Sequence, residues 1–291
     1  MKQYNVIKPR HPYHMVTPSP WPLITSIVAF IIPVGLTMYM HLYRRGGFLL
    51  TLGIFLLIAV LSFWWRDVIR EGTFEGMHTK AVQRGLKIGM ILFILSEFMF
   101  FFAFFWACLH VSFSPTFQIG CIWPPPGIIP PSPVVGFFGT ILLTVSAFYI
   151  EYAHLSIRDK NNVLTVNALA MAAFFGFAFT VLQVFEYFKL TFSISDSVFG
   201  STFYMLTGLH GFHVIIGTIF IVVCFFRALK GHFSASHHVG FEAAQWYWTF
   251  VDWVWFFVFG FFYIWSNNYL SFLIAVASIY NINFPEFIYY I

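Results

Sequence analysis

The sequence predicts an all-α integral membrane protein of seven transmembrane helices, and three observations predict it. Hydrophobic residues make up 59% of the 291 and charged residues only 9%, with a mean hydropathy of +0.80. A soluble domain carries about 25% charged residues, so this chain has little with which to face water. Seven apolar runs each approach the roughly 20 residues needed to cross about 30 Å of hydrocarbon. Of the fifteen lysines and arginines, twelve fall on one side when these runs are threaded through a membrane and three on the other.

The runs are Trp21–Leu42, Phe48–Trp65, Ile88–His110, Val134–His154, Val163–Phe188, Val198–Phe226 and Phe241–Trp265. In lipid each backbone amide must be bonded within its own element, so helices are the economical solution. The alternation of a membrane barrel is absent, since stretches such as Phe98–Phe105 are apolar on every side. Trp21, Trp64, Trp65, Trp123, Trp246, Trp248 and Trp265 lie near run ends, where amphipathic rings favour the interface. Ser195 and Asp196 precede the sixth run and are candidate helix caps. Trp123 to Pro133 is too rich in proline for a helix and reads as a stiff loop.

Orientation follows from the cations. One side holds Lys2, Lys8, Arg10, Arg66, Arg70, Lys80, Arg84, Lys87, Arg158, Lys160, Arg227 and Lys230; the other holds Arg44, Arg45 and Lys189. The positive-inside rule puts the N-terminus inside and the C-terminus outside. The first twenty residues lack the apolar core of a signal peptide and the Arg/Ser-rich amphipathic pattern of an import presequence, which fits synthesis inside the chain's own compartment. The 41 phenylalanines are a weak sign of an AT-rich, organellar coding genome. Cys108, Cys121 and Cys224 form no CxxC pair and suggest neither a disulfide framework nor a zinc site. The cations are dispersed through short loops, which argues against nucleic acid as a partner.

Few residues carry chemistry. Glu97 sits near the middle of the third run, where an ionised acid costs roughly 2.5–3.5 kcal/mol on insertion scales. It must be protonated or paired, and two readings stand: a proton-holding or relay carboxyl, or a neutral acid bonded to a neighbouring helix. His210 and His213 share a helix face, either as ligands of a metal needing further donors or, the reading preferred here, as hydrogen-bond partners of adjacent helices. Arg66 and Arg70 present a cationic helix end at headgroup level, suited to lipid phosphate or simply to anchoring. Glu151, Glu186, Glu242 and Asp252 read as helix-packing partners, His237 and His238 as solvated or interfacial. No Walker loop, GxSxG elbow, CxxCH or HExxH occurs, so no catalytic residue and no metal site is expected in this chain.

Several longer stretches resemble one family in order. They are His11-Pro-Tyr-His-Met-Val-Thr-Pro-Ser-Pro-Trp-Pro22, Trp64–Glu71 with Glu75-Gly-Met-His-Thr79, Ser96-Glu97, and Ile122-Trp-Pro-Pro125. Ser193-Ile-Ser-Asp-Ser-Val-Phe-Gly-Ser-Thr202, His210-Gly-Phe-His-Val-Ile-Ile-Gly217 and His237-His-Val-Gly-Phe-Glu-Ala-Ala-Gln-Trp-Tyr-Trp248 continue the series. Together they resemble subunit III of mitochondrial haem–copper cytochrome c oxidase, complex IV. Departures are Thr17 for Asp, Met77 for the first of two histidines, Tyr152 and Leu155 for Trp and His around Ala153-His154, Thr249 for His, and a longer tail.

The resemblance implies two helix groups, 1–2 and 3–7, that form a V-shaped, lipid-filled cleft. It divides the chain into a single membrane domain over 1–268, comprising a matrix-side segment 1–20, a two-helix group 21–80 and a five-helix group 81–268. A C-terminal extension, 269–291, is expected at the interface or against a partner. The implied function is that of a non-redox core subunit of the terminal respiratory oxidase, which reduces O2 with electrons from cytochrome c and pumps protons. Haem a, haem a3, copper A and copper B are implied in partner subunits. Subunits I and II, small accessory subunits and structural phospholipids are the implied partners, with a respiratory supercomplex a further one. The implied location is the mitochondrial inner membrane, multi-pass, with the N-terminus in the matrix and the C-terminus in the intermembrane space. Residue by residue, Glu97 matches the family's carbodiimide-reactive acid. Arg70 and Arg227 match cations holding cleft phospholipid, with Trp65, Glu71, His78 and Phe93 nearby. The alternatives are the equivalent subunit of a bacterial or quinol oxidase and an independent seven-helix transporter or receptor; an internal repeat would favour the transporter, and none is evident.

Overall fold

A computed structural model describes residues 11–267. All seven apolar runs are helices long and apolar enough to span: α1 Trp21–Met40, α2 Gly46–Thr73, α3 Lys80–Phe113, α4 Pro133–Arg158, α5 Asn162–Lys189, α6 Ser197–Leu229 and α7 Val239–Val258. A π-helical segment, Phe259–Trp265, continues α7. No strand forms among the described residues, where the sole bridge pairs Ser234 with His237. The extension 269–291, with Lys2, Lys8 and Arg10, lies outside the described residues.

Several boundaries differ from the hydropathy reading, among them the end of α2, at Thr73 rather than Trp65, and three local features have a plain physical reason. α3 begins at Lys80, ahead of the apolar run at Ile88. Its 34 residues make about 51 Å of helix, more than a bilayer core needs, so a polar first turn projects beyond the hydrocarbon. Pro133 belongs to α4, as its first residue, because proline's missing N–H costs nothing in a first turn. Asp196 occupies the cap position of α6 but does not cap it. Its carboxylate turns back to accept from the Ser193 amide at 2.6 Å and the Ser193 hydroxyl at 2.9 Å, and the Ser197 hydroxyl accepts from the Phe199 amide instead.

The Ser193 amide, and then its hydroxyl, hold the Asp196 carboxyl below its ordinary value. A depressed carboxyl stabilises the fold above its unfolded pKa, and that contribution is lost as pH falls through the lower folded value. Hydrogen-exchange protection of the Ser193 amide is therefore expected to fall below about pH 4, and Asp196→Asn to remove this pH dependence; protection that ignores pH would refute the contact.

Contacts divide the chain into two units, the first ending at Leu86 and the second beginning at Lys87. In the first, α1 and α2 form an antiparallel pair closed by a tight turn, with Leu42 and Arg45 at positive φ. Small residues bring the backbones together. A Cβ on Gly35 would stand 2.6 Å from the Leu50 nitrogen, and one on Gly46 2.5 Å from the Tyr39 nitrogen. At the open end the Trp21 indole donates to Asp67 Oδ2 at 2.7 Å, and Arg66 pairs with Oδ1 of the same carboxylate at 2.9 Å.

The second unit, α3 from Lys87 through the π segment, is built on aromatic rings seated against glycines. Trp248 is 1% exposed and lies between Gly176 and Gly217, where added Cβ atoms would meet its ring at 2.7 and 2.8 Å. Trp255 and Phe179 close on Gly139 in the same way. Trp248 and Trp123, expected at the interface, are thus buried; Trp123 lies 5.3 Å from Phe199, ring to ring. Without a hydrophobic drive between helices in lipid, such close small-to-large packing is the main source of association.

Candidate functional site

Six of the polar residues singled out in or near the spans, Glu97, His210, His213, Glu151, Glu186 and Glu242, find partners across helices. Glu97 on α3 meets His213 on α6, with 2.8 Å between Oε2 and Nε2. The other ring nitrogen, Nδ1, lies 2.7 Å from the Leu209 carbonyl. A carbonyl only accepts, so Nδ1 carries hydrogen. The Nε2–Oε2 contact then needs one further proton, either on the acid or on the imidazole. The pair is therefore a neutral acid with a neutral ring, or a carboxylate with an imidazolium. Its net charge is zero in both forms, which is what the hydrocarbon demands.

Its surroundings are aromatic. The Phe101 ring stands edge-on to His213 at 4.9 Å and Tyr247 stacks at 6.4 Å. Phe93, one turn before Glu97, stacks on the outer side of Tyr247 at 6.4 Å. The Glu97 side chain keeps 22% exposure and His213 only 9%, so the acid is the accessible end. His210, one turn earlier on α6, faces elsewhere: its Nε2–H donates to the Val251 carbonyl at 3.2 Å beneath Trp255. Neither histidine belongs to a three-ligand group among the described residues.

The remaining acids are arranged by packing. Glu186 accepts from the Tyr263 hydroxyl and the Gln183 amide, each at 2.7 Å, in the buried end of α5. Glu151 accepts from Gln245 at 2.6 Å. Glu242 pairs with Lys87 at 2.5 Å. Asp252 is buried with one oxygen lacking a partner.

The residues matched to phospholipid sites divide between the two units, Trp65, Arg70, Glu71 and His78 in the first, Phe93 and Arg227 in the second. Trp65, Arg70 and Glu71 occupy the last turns of α2, with Trp65 62% exposed. His78 packs against Gly72, where a Cβ would meet its Nδ1 at 2.6 Å, and stands within 4.8 Å of ligand atoms of Glu71 and His14. Arg227, at the end of α6, lays its guanidinium over Phe233 at 4.6 Å, with one end against Gly240. Among the described residues no carboxylate lies within ion-pair distance of Arg70 or Arg227. The loop imidazole of His232 is held below its ordinary pKa, first by burial and then by Arg227 and Lys230.

Sequence spacing could not have joined Glu97 to His213 across 116 residues, nor Lys87 to Glu242. The signals were single: an acid in an apolar run, a histidine pair on one face.

Residues 11–267 match the family described as "Cytochrome c oxidase subunit III". The chain is 53% identical over 259 residues to "Cytochrome c oxidase subunit 3" of Prototheca wickerhamii, covering 89% of this chain and 99% of that protein. It is 50% identical over 259 residues to the protein of that name from Arabidopsis thaliana, covering 89% and 98%. Against that of Lemur catta it is 49% identical over 262 residues, covering 90% and 95%.

Proposed function

Because the chain belongs to the cytochrome c oxidase subunit III family, and is thus a seven-span subunit of an oxidoreductase complex, we propose that it serves as the non-redox core subunit. In this reading it supports subunit I, proton uptake and turnover stability, with the haems and coppers in subunits I and II. The observation that carries the proposal is the Glu97–His213 pair. It holds one exchangeable proton at net zero charge, with the acid end accessible and the base end fixed by a helix carbonyl. Within the pair that proton can shift between acid and ring at constant zero charge, and a proton that leaves must be replaced at the accessible acid end to keep net charge out of the hydrocarbon. The family match supports a location in the mitochondrial inner membrane, and the twelve-to-three distribution of cations supports an N-terminus on the inner, matrix side.

Glu97→Gln tests this. The amide keeps the shape and a hydrogen bond to His213 Nε2 but removes the titratable proton. The variant is expected to assemble normally, to lose carbodiimide labelling of α3, and to slow turnover-linked proton uptake. Undiminished labelling of α3, or uptake unchanged at every pH, would reduce the pair to helix packing.

Structural phospholipid is the second part of the proposal, and two groups support it, each within its own unit. Among the described residues Arg70 and Arg227 have no carboxylate within ion-pair distance, Arg227 lies over the Phe233 ring at 4.6 Å, and phosphate matches the planar guanidinium fork. Arg70→Ala combined with Arg227→Ala is expected to release tightly bound lipid and to hasten inactivation during turnover. Native mass spectrometry of the complex checks this; an unchanged lipid count would overturn it.

A further inference from the structure

We propose that His154, His238 and Glu242 form a binding site for a divalent transition-metal ion of the zinc type, where α4 ends and α7 begins. Their ligand atoms, one from each residue, all lie within 4.8 Å of one another. Two imidazoles and a carboxylate make a donor set that suits zinc, with the fourth tetrahedral position left to a non-protein ligand.

Orientation supports the proposal independently of proximity. His238 Nδ1 lies 2.9 Å from the Ser234 carbonyl, so that nitrogen carries hydrogen and Nε2 presents its lone pair. Histidines that ligate metals are held in this way, with the distal N–H on a carbonyl or carboxylate. Nε2 in turn stands 3.6 Å from Glu242 Oε1. In the neutral ring these are two acceptors facing each other with no hydrogen between them, an arrangement that a shared cation resolves. Glu242 is one turn along α7 from His238, so the two are fixed on one face. The His154 ring stands edge-on to His238 at 5.4 Å, one turn from the end of α4.

The two carboxylate oxygens divide the work. Oε2 holds the Lys87 ammonium at 2.5 Å, and Oε1 is the oxygen turned to the histidines. A metal can therefore take Oε1 without displacing Lys87. Bonds of about 2.0–2.1 Å to a tetrahedral zinc place its donors roughly 3.4 Å apart, so the three side chains must draw in by about 1 Å, within the reach of their rotamers. Lys87 and the nearby Arg158 oppose a further positive charge, so the site is weaker than a closed structural zinc site and fills and empties with free metal. Occupied, it would tie the end of α4 to the start of α7.

The test uses the purified oxidase complex, stripped with chelator, exposed to zinc and desalted. Zinc retained per complex is counted by elemental mass spectrometry. His154→Gln and Glu242→Gln complexes are each expected to retain one zinc fewer than the parent; equal counts in a variant that keeps its haem spectrum would overturn the site. The unmodified complex gives a second reading that needs no variant. Saturating zinc is expected to slow diethylpyrocarbonate labelling of His154 at least 10-fold. An unchanged labelling rate would overturn the site.

Discussion

His213→Leu is expected to destabilise the five-helix unit by about 3 kcal/mol, because it strands the Glu97 carboxyl in an apolar wall. Removing one member of a buried charged or hydrogen-bonded pair leaves the other's desolvation uncompensated, typically about 3–5 kcal/mol. The 22% exposure of Glu97 argues for the lower end, since the acid can take up a proton or turn outward. If the contact is broken in the transition state for inactivation, about 3 kcal/mol shortens the thermal half-life of the complex by roughly 100-fold. The decisive measurement is a double-mutant cycle with Glu97→Leu. Replacing both partners by apolar groups is expected to recover most of the loss. A double variant as unstable as the sum of the singles would mean that the two residues act separately.

Gly176→Val is expected to have an effect of similar size from the opposite cause, overfilling. A Cβ there would stand 2.7 Å from the Trp248 ring and 2.8 Å from the Thr218 hydroxyl. Neither can retreat: Trp248 meets Gly217 on its other side, and Thr218 is bonded to the Val214 carbonyl at 2.8 Å. Overpacking costs about 1–3 kcal/mol and more where nothing gives, so roughly 3 kcal/mol or failed assembly is expected. Trp248→Phe in the same chain shortens the ring and is expected to restore assembly in part, although alone it leaves a cavity. The amount of chain recovered in the complex measures both. If Trp248→Phe brings no rescue, the seat lies elsewhere.

These two sites show how far the sequence could be read. Hydropathy found every span because bilayer thickness imposes a minimum apolar length on all of them, and the lone acid of the third run announced that Glu97 needed a partner. The partner was not legible, because 116 residues separate Glu97 from His213 and no spacing rule reaches across helices. Trp248 misled for a related reason. Tryptophan near a run end favours the interface, but Gly176 and Gly217 on two other helices supply a seat that only the packed unit reveals. Asp196 looked like a cap from its position, yet the Ser193 amide offered its carboxylate a better bond. The polar start of α3 was missed because Lys80, Arg84 and Lys87 are good helix formers that hydropathy counts as loop.

The π-helical segment Phe259–Trp265 makes residue number, rather than residue type, the sensitive quantity at the end of α7. Its rings close from i to i+5, so it absorbs an insertion that an α-helix would pass on as rotation. One residue is about 100° of helical phase. Losing a residue here would restore ordinary pitch and swing the Tyr263 hydroxyl away from Glu186, to which it now donates at 2.7 Å. A side chain at Gly260 would meet nothing within 4 Å. The segment is thus open to exchange at Gly260 and intolerant of deletion, a spacer whose count keeps two distant helices in step.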